Sequence, residues 1–197
     1  MGLLRVLVIA AMLAAAPSVA AAEAVGQASS LRPAAMQKPP GAAQAQIAWK
    51  DQIYRNAELA TAANGALEVT FADSSKLAMG PNSEMIVDEF TYAGPGSASQ
   101  QVVKYTKGAF RFISGAVQKD KVQLKTPTAT VGIRGTIVLT KVEPDGTTTV
   151  GVEKGEATVT STVTGQNVNI TAGEKVTIKP GGEIGGITLG KVEGCPR

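Results

Sequence analysis

The chain has 197 residues, 44% of them hydrophobic, and 19 Lys and Arg against 16 Asp and Glu give a formal net charge of +3. That length suits one domain plus a targeting segment, and so slight a basic excess does not call for nucleic acid as a partner. With no histidine and one cysteine, Cys195, imidazole-held zinc, Ser-His-Asp or Cys-His nucleophiles and an internal disulfide are excluded. No catalytic residue, metal site or cofactor is expected.

Residues 1–22 read as a secretory signal peptide, expected to be helical. Arg5 gives a positive start, Val6 to Ala16 is apolar, Pro17 and Ser18 break the run, and Ala20-Ala21-Ala22 offers a cleavage site. The apolar run falls short of the ~18–20 residues that spanning needs. The expectation is a cleaved leader and a periplasmic or secreted bacterial protein with no membrane span after cleavage. Arg5 is the only charged residue among the first 22, so cleavage leaves 18 Lys and Arg against 16 acids.

Residues 23–45, rich in Ala, Gln, Ser and Pro, read as a flexible linker. Ala42 to Ala48 allows a little helix, limited by Pro39-Pro40 upstream. A β domain is expected over 46–180. Gln52 to Thr61 is compatible with helix or strand. After the turn at Asn64-Gly65, Leu67, Val69 and Phe71 alternate with Glu68 and Thr70, the pattern of a half-buried strand. Turns at Asp73-Ser74-Ser75 and Gly80-Pro81-Asn82-Ser83 separate further alternating runs through Met79 and from Met85 to Tyr92. Gly94 to Ser97 reads as a mobile loop. Val102 to Thr106 and Gly108 to Gly115 follow, with Phe110 and Phe112 on one side of a strand and Arg111 on the other. Val122 and Leu124 lead into Thr126-Pro127-Thr128-Ala129-Thr130-Val131-Gly132-Ile133-Arg134-Gly135-Thr136. Beyond it, turns at Pro144-Asp145-Gly146, Lys154-Gly155-Glu156, Thr164-Gly165-Gln166 and Ala172-Gly173-Glu174 punctuate alternating valines and isoleucines. Residues 181–197 read as a Gly-rich tail with weak strand character at Ile187 to Leu189, and with Cys195 exposed on it. About ten to twelve short strands with frequent turns give an all-β domain. Two packed sheets, a β-sandwich or jelly-roll-like fold, are the expected arrangement, with a short β-solenoid as the alternative.

The run Thr126 to Thr136 resembles the signature block T-P-x-A-x-x-G-x-R-G-T of the FecR domain family. Phe71 to Ser75 and Leu77 to Ser83 are similar to that family's F-x-D-G-S and L-G-P-x-S segments, with Ser74 standing where the family usually has glycine. Glu89 to Tyr92, Gly108 to Gly115, Asp145 to Thr148 and Gly173 to Lys175 continue the likeness in order, over about residues 50–180. The resemblance implies an extracytoplasmic all-β module. In the proteins that name the family, it relays a transporter's signal to a cytoplasmic anti-sigma segment. This chain departs there, since no cytoplasmic domain precedes its apolar segment.

Arg134 has two readings. One is a buried or half-buried ion pair with Glu153, Glu156 or Asp145, with Gly132 and Gly135 letting backbone approach closely. The other is recognition of an acidic ligand or a partner's carboxylate. Arg111 is either a stacking site or a solvated arginine opposite two core rings. Trp49 either caps the core or stands exposed for ligand stacking. Asp73, Asp88, Asp120 and Asp145 are expected to bond their own turns. Three functions follow as expectations. The first is an exported, non-catalytic module of the bacterial envelope that binds a protein or glycan through strand edges and loops. The second is an accessory in cell-surface signalling, working with a separately encoded membrane regulator. The third is an envelope polysaccharide hydrolase, resting on available carboxylates.

Overall fold

The computed structural model describes residues 22–92, 94, 100–116 and 121–196. The signal-peptide helix, nearly all of the 94–97 loop and Asp120 lie outside these residues. The strands, in chain order, are β1 (Ala24–Arg32), β2 (Ala35–Lys38), β3 (Ala45–Gln46), β4 (Gln52–Tyr54), β5 (Glu58–Thr61), β6 (Ala66–Phe71), β7 (Lys76–Met79), β8 (Glu84–Thr91), β9 (Gln100–Ile113), β10 (Val122–Lys125), β11 (Ala129–Val142), β12 (Thr148–Ser161), β13 (Asn167–Thr171), β14 (Glu174–Ile178) and β15 (Thr188–Leu189). The fold is all-β, as the alternation and turn spacing predict.

All fifteen strands belong to one mixed hydrogen-bonded network. It folds into two layers because β9, β11 and β12, each 14 residues long, change neighbours halfway along. The first layer runs β3, β2, β5, β8, the first half of β9, β10, the first half of β11, the second half of β12, then β13. The second runs β4, β1, β6, β7, the second half of β9, the second half of β11, the first half of β12, β14, then β15. β9 with β10 is the one parallel pair among these described strands, so the chain is not a stack of parallel coils as a regular solenoid would be.

Each crossing is made at a glycine with positive φ, a backbone state that side-chain-bearing residues avoid. β9 turns at Gly108 (φ 108°), and β11 and β12 turn where Gly135 (φ 63°) faces Gly155 (φ 83°). Register supports this: Arg134 pairs with Glu156, Ile137 with Lys154, and the ladder shifts between them. Gly108 pairs with Val142 and Ile113 with Ile137, which puts the crossing of β9 and the crossings of β11 and β12 at opposite ends of the layers.

Period-2 alternation buries one face of each layer, and the two faces share a single core. Phe71 of β6 stacks on Phe90 of β8 across the layers, with ring centroids 5.5 Å apart. Tyr105 and Phe110 stack at 4.0 Å on either side of the β9 bend. Buried polar ties also join the layers: the Gln101 side-chain amide donates to Ser75 Oγ (3.1 Å), and Ser75 Oγ donates to Asp73 Oδ1 (2.6 Å). Ser74 holds φ 67° where the family's usual glycine would be unstrained.

Three expectations are corrected. Residues 23–45 are not a flexible linker: β1 pairs with β4 and β6, and Val25, Ala28 and Ala35 are buried in the core. Small side chains there look linker-like by composition, but tertiary pairing overrides local propensity. Residues 42–48 hold the short strand β3 rather than a helix, and 52–61 resolves into β4 and β5, separated by a turn with Asn56 at φ 58°. Residues 181–196 are not a loose tail. β15 pairs with β14, Val192 is buried, and Cys195 Sγ lies 3.6 Å from the Thr140 carbonyl oxygen.

Candidate interaction surface

The stretch from Thr126 to Thr136 does two structural jobs before it offers a surface. Its first half closes the β10–β11 hairpin. Thr126 N–H donates to the Ala129 carbonyl (2.8 Å), and Ala129 N–H donates back to Thr126 Oγ1 (2.9 Å). Thr126, Thr128 and Thr148, all buried, join their hydroxyls: Thr148 Oγ1 lies 3.0 Å from Thr126 Oγ1 and 2.8 Å from Thr128 Oγ1. This cluster fastens the hairpin to the start of β12. Pro127 stays exposed at the turn, where its missing N–H costs no ladder bond. Replacing Thr148 with Val keeps the shape and removes the shared hydroxyl. The expected loss, read from urea unfolding, is about 1–3 kcal/mol, the cost of stranding a buried polar partner.

The second half makes the β11 crossing. Thr136 is buried, and its N–H donates to Ser114 Oγ (3.1 Å) at the end of β9. Gly132 does not serve a close approach as expected; the nearest heavy atom to a Cβ built there is the Thr158 carbonyl oxygen at 4.0 Å. Gly135 does lie in a tight place, since a Cβ on the facing Gly155 would come within 2.7 Å of its carbonyl oxygen.

Arg134 is the correction that matters most. It is not buried: its side chain is 71% exposed, and its one ion pair among the described residues, with Glu156 across the ladder, is long at 3.7 Å. The cause is strand parity. Val131 and Ile133 face the core, so Arg134 must face solvent. Exposed pairs of this kind hold little energy. Glu153 turns instead to Arg111, and Asp145 to Thr147.

Arg134 belongs to the outer surface of the first layer, two strands in from its edge. Arg134 lies opposite Glu156, and Glu156 opposite Thr171; Gly132 lies opposite Thr158, and Thr158 opposite Asn169. Arg134, Glu156, Ala157, Thr158 and Asn169 line a shallow concavity of about 100 Å³. Beyond it β13 closes the layer. Val168 and Ile170 pack inward, Asn167, Asn169 and Thr171 face outward, and among the described strands only β12 pairs with β13. Its far backbone edge is therefore open to another strand. Glu174 fixes the end of that edge by accepting the Thr171 N–H (2.7 Å) and hydroxyl (2.9 Å), which hold its carboxyl below the ordinary range. Sequence reasoning placed strands here but missed the edge. Asn167 and Asn169 alternating with Val168 and Ile170 mark a half-buried strand but not its place at the edge.

The other predicted residues lie elsewhere. Arg111 points away from Phe110 and Phe112, as its spacing predicts, and forks onto Glu153 through Nε (3.1 Å) and Nη2 (3.0 Å) on the outer face of the second layer. Trp49 is 63% exposed in the turn before β4, with Lys50 Nζ 4.3 Å from its ring centroid; it does not cap the core. Asp73 and Asp145 bond their turns, the latter held low in pKa by the Thr147 N–H and hydroxyl. Asp88 pairs with Lys104 (2.8 Å). Among the described residues no three His, Cys, Asp or Glu side chains gather as metal ligands would, and no helix is long and apolar enough to cross a membrane.

These features define a two-layer, all-β module whose signature residues serve the crossings while one arginine stands outside. The FecR protein family model matches residues 57–158, just over half of the chain, and the chain belongs to that family. Two crystal structures of a candidate anti-sigma factor from Parabacteroides distasonis share the fold. Their TM-scores are 0.55 and 0.54, at 18% and 17% identity, over 67% of this chain and 59% of theirs. This chain thus spans less than two thirds of those structures. No curated protein matches it.

Proposed function

We propose that this protein is an exported, non-catalytic interaction module of the bacterial envelope, which binds a protein partner by adding the partner's strand to β13. The open edge of β13, with the exposed Arg134 two strands away on the same outer face, carries this reading. Main-chain pairing supplies affinity in such a mode, and side chains beside the edge supply selectivity. Among the described residues Arg134 has one ion-pair partner, held loosely, so a carboxylate that the partner lays over the outer face can compete for the guanidinium. Membership of the FecR family, together with the fold shared with a candidate anti-sigma factor, supports a place in cell-surface signalling, as an accessory to a separately encoded membrane regulator.

The test compares three immobilised chains exposed to host envelope extract: the unaltered chain, Arg134→Glu, and Asn167→Lys with Asn169→Lys. Lysines on an edge oppose strand addition without touching the core. The unaltered chain is expected to retain a discrete protein, and each variant to retain about tenfold less, the effect of a lost charge contact or a blocked edge. Equal retention by the edge-lysine chain overturns the proposal.

A further inference from the structure

Residues 190–196 form a strap across the outer face of the second layer. Gly190 N–H donates to the Gly173 carbonyl (2.9 Å), and Lys175 Nζ donates to the Lys191 carbonyl (3.1 Å). Val192, 6% exposed, sits over Gly151, where an added Cβ would come within 2.7 Å of Val192 Cγ2. Gly194 reaches Gly80, where a built Cβ would meet the Gly194 carbonyl oxygen in ordinary contact at 3.5 Å. Glu193 lies within electrostatic reach of Lys141, and Cys195 Sγ is sheltered against Thr140, where burial pushes its thiol up to about 11.

The sheet beneath is shaped for this occupant at Gly151, where any side chain would meet Val192. The space also continues beyond both ends of the strap. A cavity of about 330 Å³ lies between Leu139, Gly151, Glu153 and Lys191, and one of about 410 Å³ lies between Arg32, Leu67, Gly80 and Pro196. The strap follows a segment containing Gly181, Gly182, Gly185 and Gly186, which the Ile178–Ile184 bridge and the two-residue β15 hold to β14. Anchored there, a released strap stays close to its seat and competes as an intramolecular ligand.

We infer that this groove is a second binding surface, held closed by the chain's own strap, and that it takes an extended partner segment repeating the strap's pattern of a small branched aliphatic, an acid and a glycine. The strap is then a built-in competitor, and its seat defines the ligand. This surface is independent of β13 and lies on the opposite layer.

The experiment uses full-length chains and a fluorescent synthetic peptide of residues 188–196 with serine in place of its cysteine. Val192→Asp puts a carboxylate in an apolar seat and unseats the strap. Cys195 in that variant is expected to react with a maleimide at least about tenfold faster than in the unaltered chain, as a sheltered thiol becomes exposed. The peptide is expected to bind the Val192→Asp chain, and to bind neither the unaltered chain nor the Val192→Asp, Gly151→Val double variant, whose groove is filled. Unchanged labelling of Val192→Asp overturns the strap. Fast labelling without peptide binding overturns the groove. Neither result bears on capture at β13.

Discussion

Replacing Gly108 with Ala is expected to cost about 3 kcal/mol or more, combining a disfavoured positive-φ backbone with overpacking against the backbone at Ser83. A Cβ built at Gly108 would lie 2.5 Å from Ser83 Cα, and backbone cannot yield as a flexible side chain can. Ser83 is itself fixed: its N–H donates to Thr61 Oγ1 (3.0 Å), and its Oγ accepts the Ala109 N–H (3.1 Å). The substitution therefore strikes the crossing of β9, the strand that joins four others in the two layers. Domains of this size hold roughly 5–15 kcal/mol in all, so the variant should unfold at markedly lower urea. Gly132→Ala is the matched control. It lies in a regular strand with open space around it, and a change within about 0.5 kcal/mol is expected. If the two variants lose stability equally, the crossings do not depend on glycine as described.

Phe110→Ala should cost about 3–5 kcal/mol, the usual range for emptying a phenylalanine site in a packed core. Phe110 is fully buried, follows the Gly108 bend, and stacks on Tyr105 at 4.0 Å. Its removal opens a void where both halves of β9 meet the core. Arg111→Ala, one residue along and on the other face, loses a partly buried pair with Glu153, and about 1–2 kcal/mol is expected, clearly less than at Phe110. Equilibrium unfolding of the two variants separates inward from outward positions on one strand. A small effect at Phe110 would mean that the two layers do not share the core assigned to them.

The all-β class and the facing of individual side chains were legible because alternation is a local signal. Phe110 and Phe112 announce an inward face, and the same rule, applied from Ile133, would have put Arg134 outside. The expectation of a buried arginine came from its small, apolar neighbours instead, which report the strand's other face. Residues 23–45 misled for a different reason. Ala28 and Ala35 pack in the core, but alanine and serine carry too weak a hydrophobic signal to mark a strand whose partners, β4 and β6, lie further along the chain. The crossings were marked in sequence by Gly108, Gly135 and Gly155, but Gly108 reads there as the start of a strand, Gly135 as room for close backbone and Gly155 as a turn. Which strand ends a layer depends on the whole pairing order, so the open edge at β13 could not be read locally. The strap over Gly151 was hidden likewise, because a missing side chain reveals its purpose only when Val192 is seen above it.

The most direct test of the proposed role places a photo-crosslinking side chain at position 169 on β13, and separately at 46 on β3 and 54 on β4, the edges at the other side of each layer. The account predicts a discrete protein adduct from position 169, lost when Arg134 is changed to Glu, with no adduct from 46 or 54. Adducts from 46 or 54 with none from 169 would contradict it.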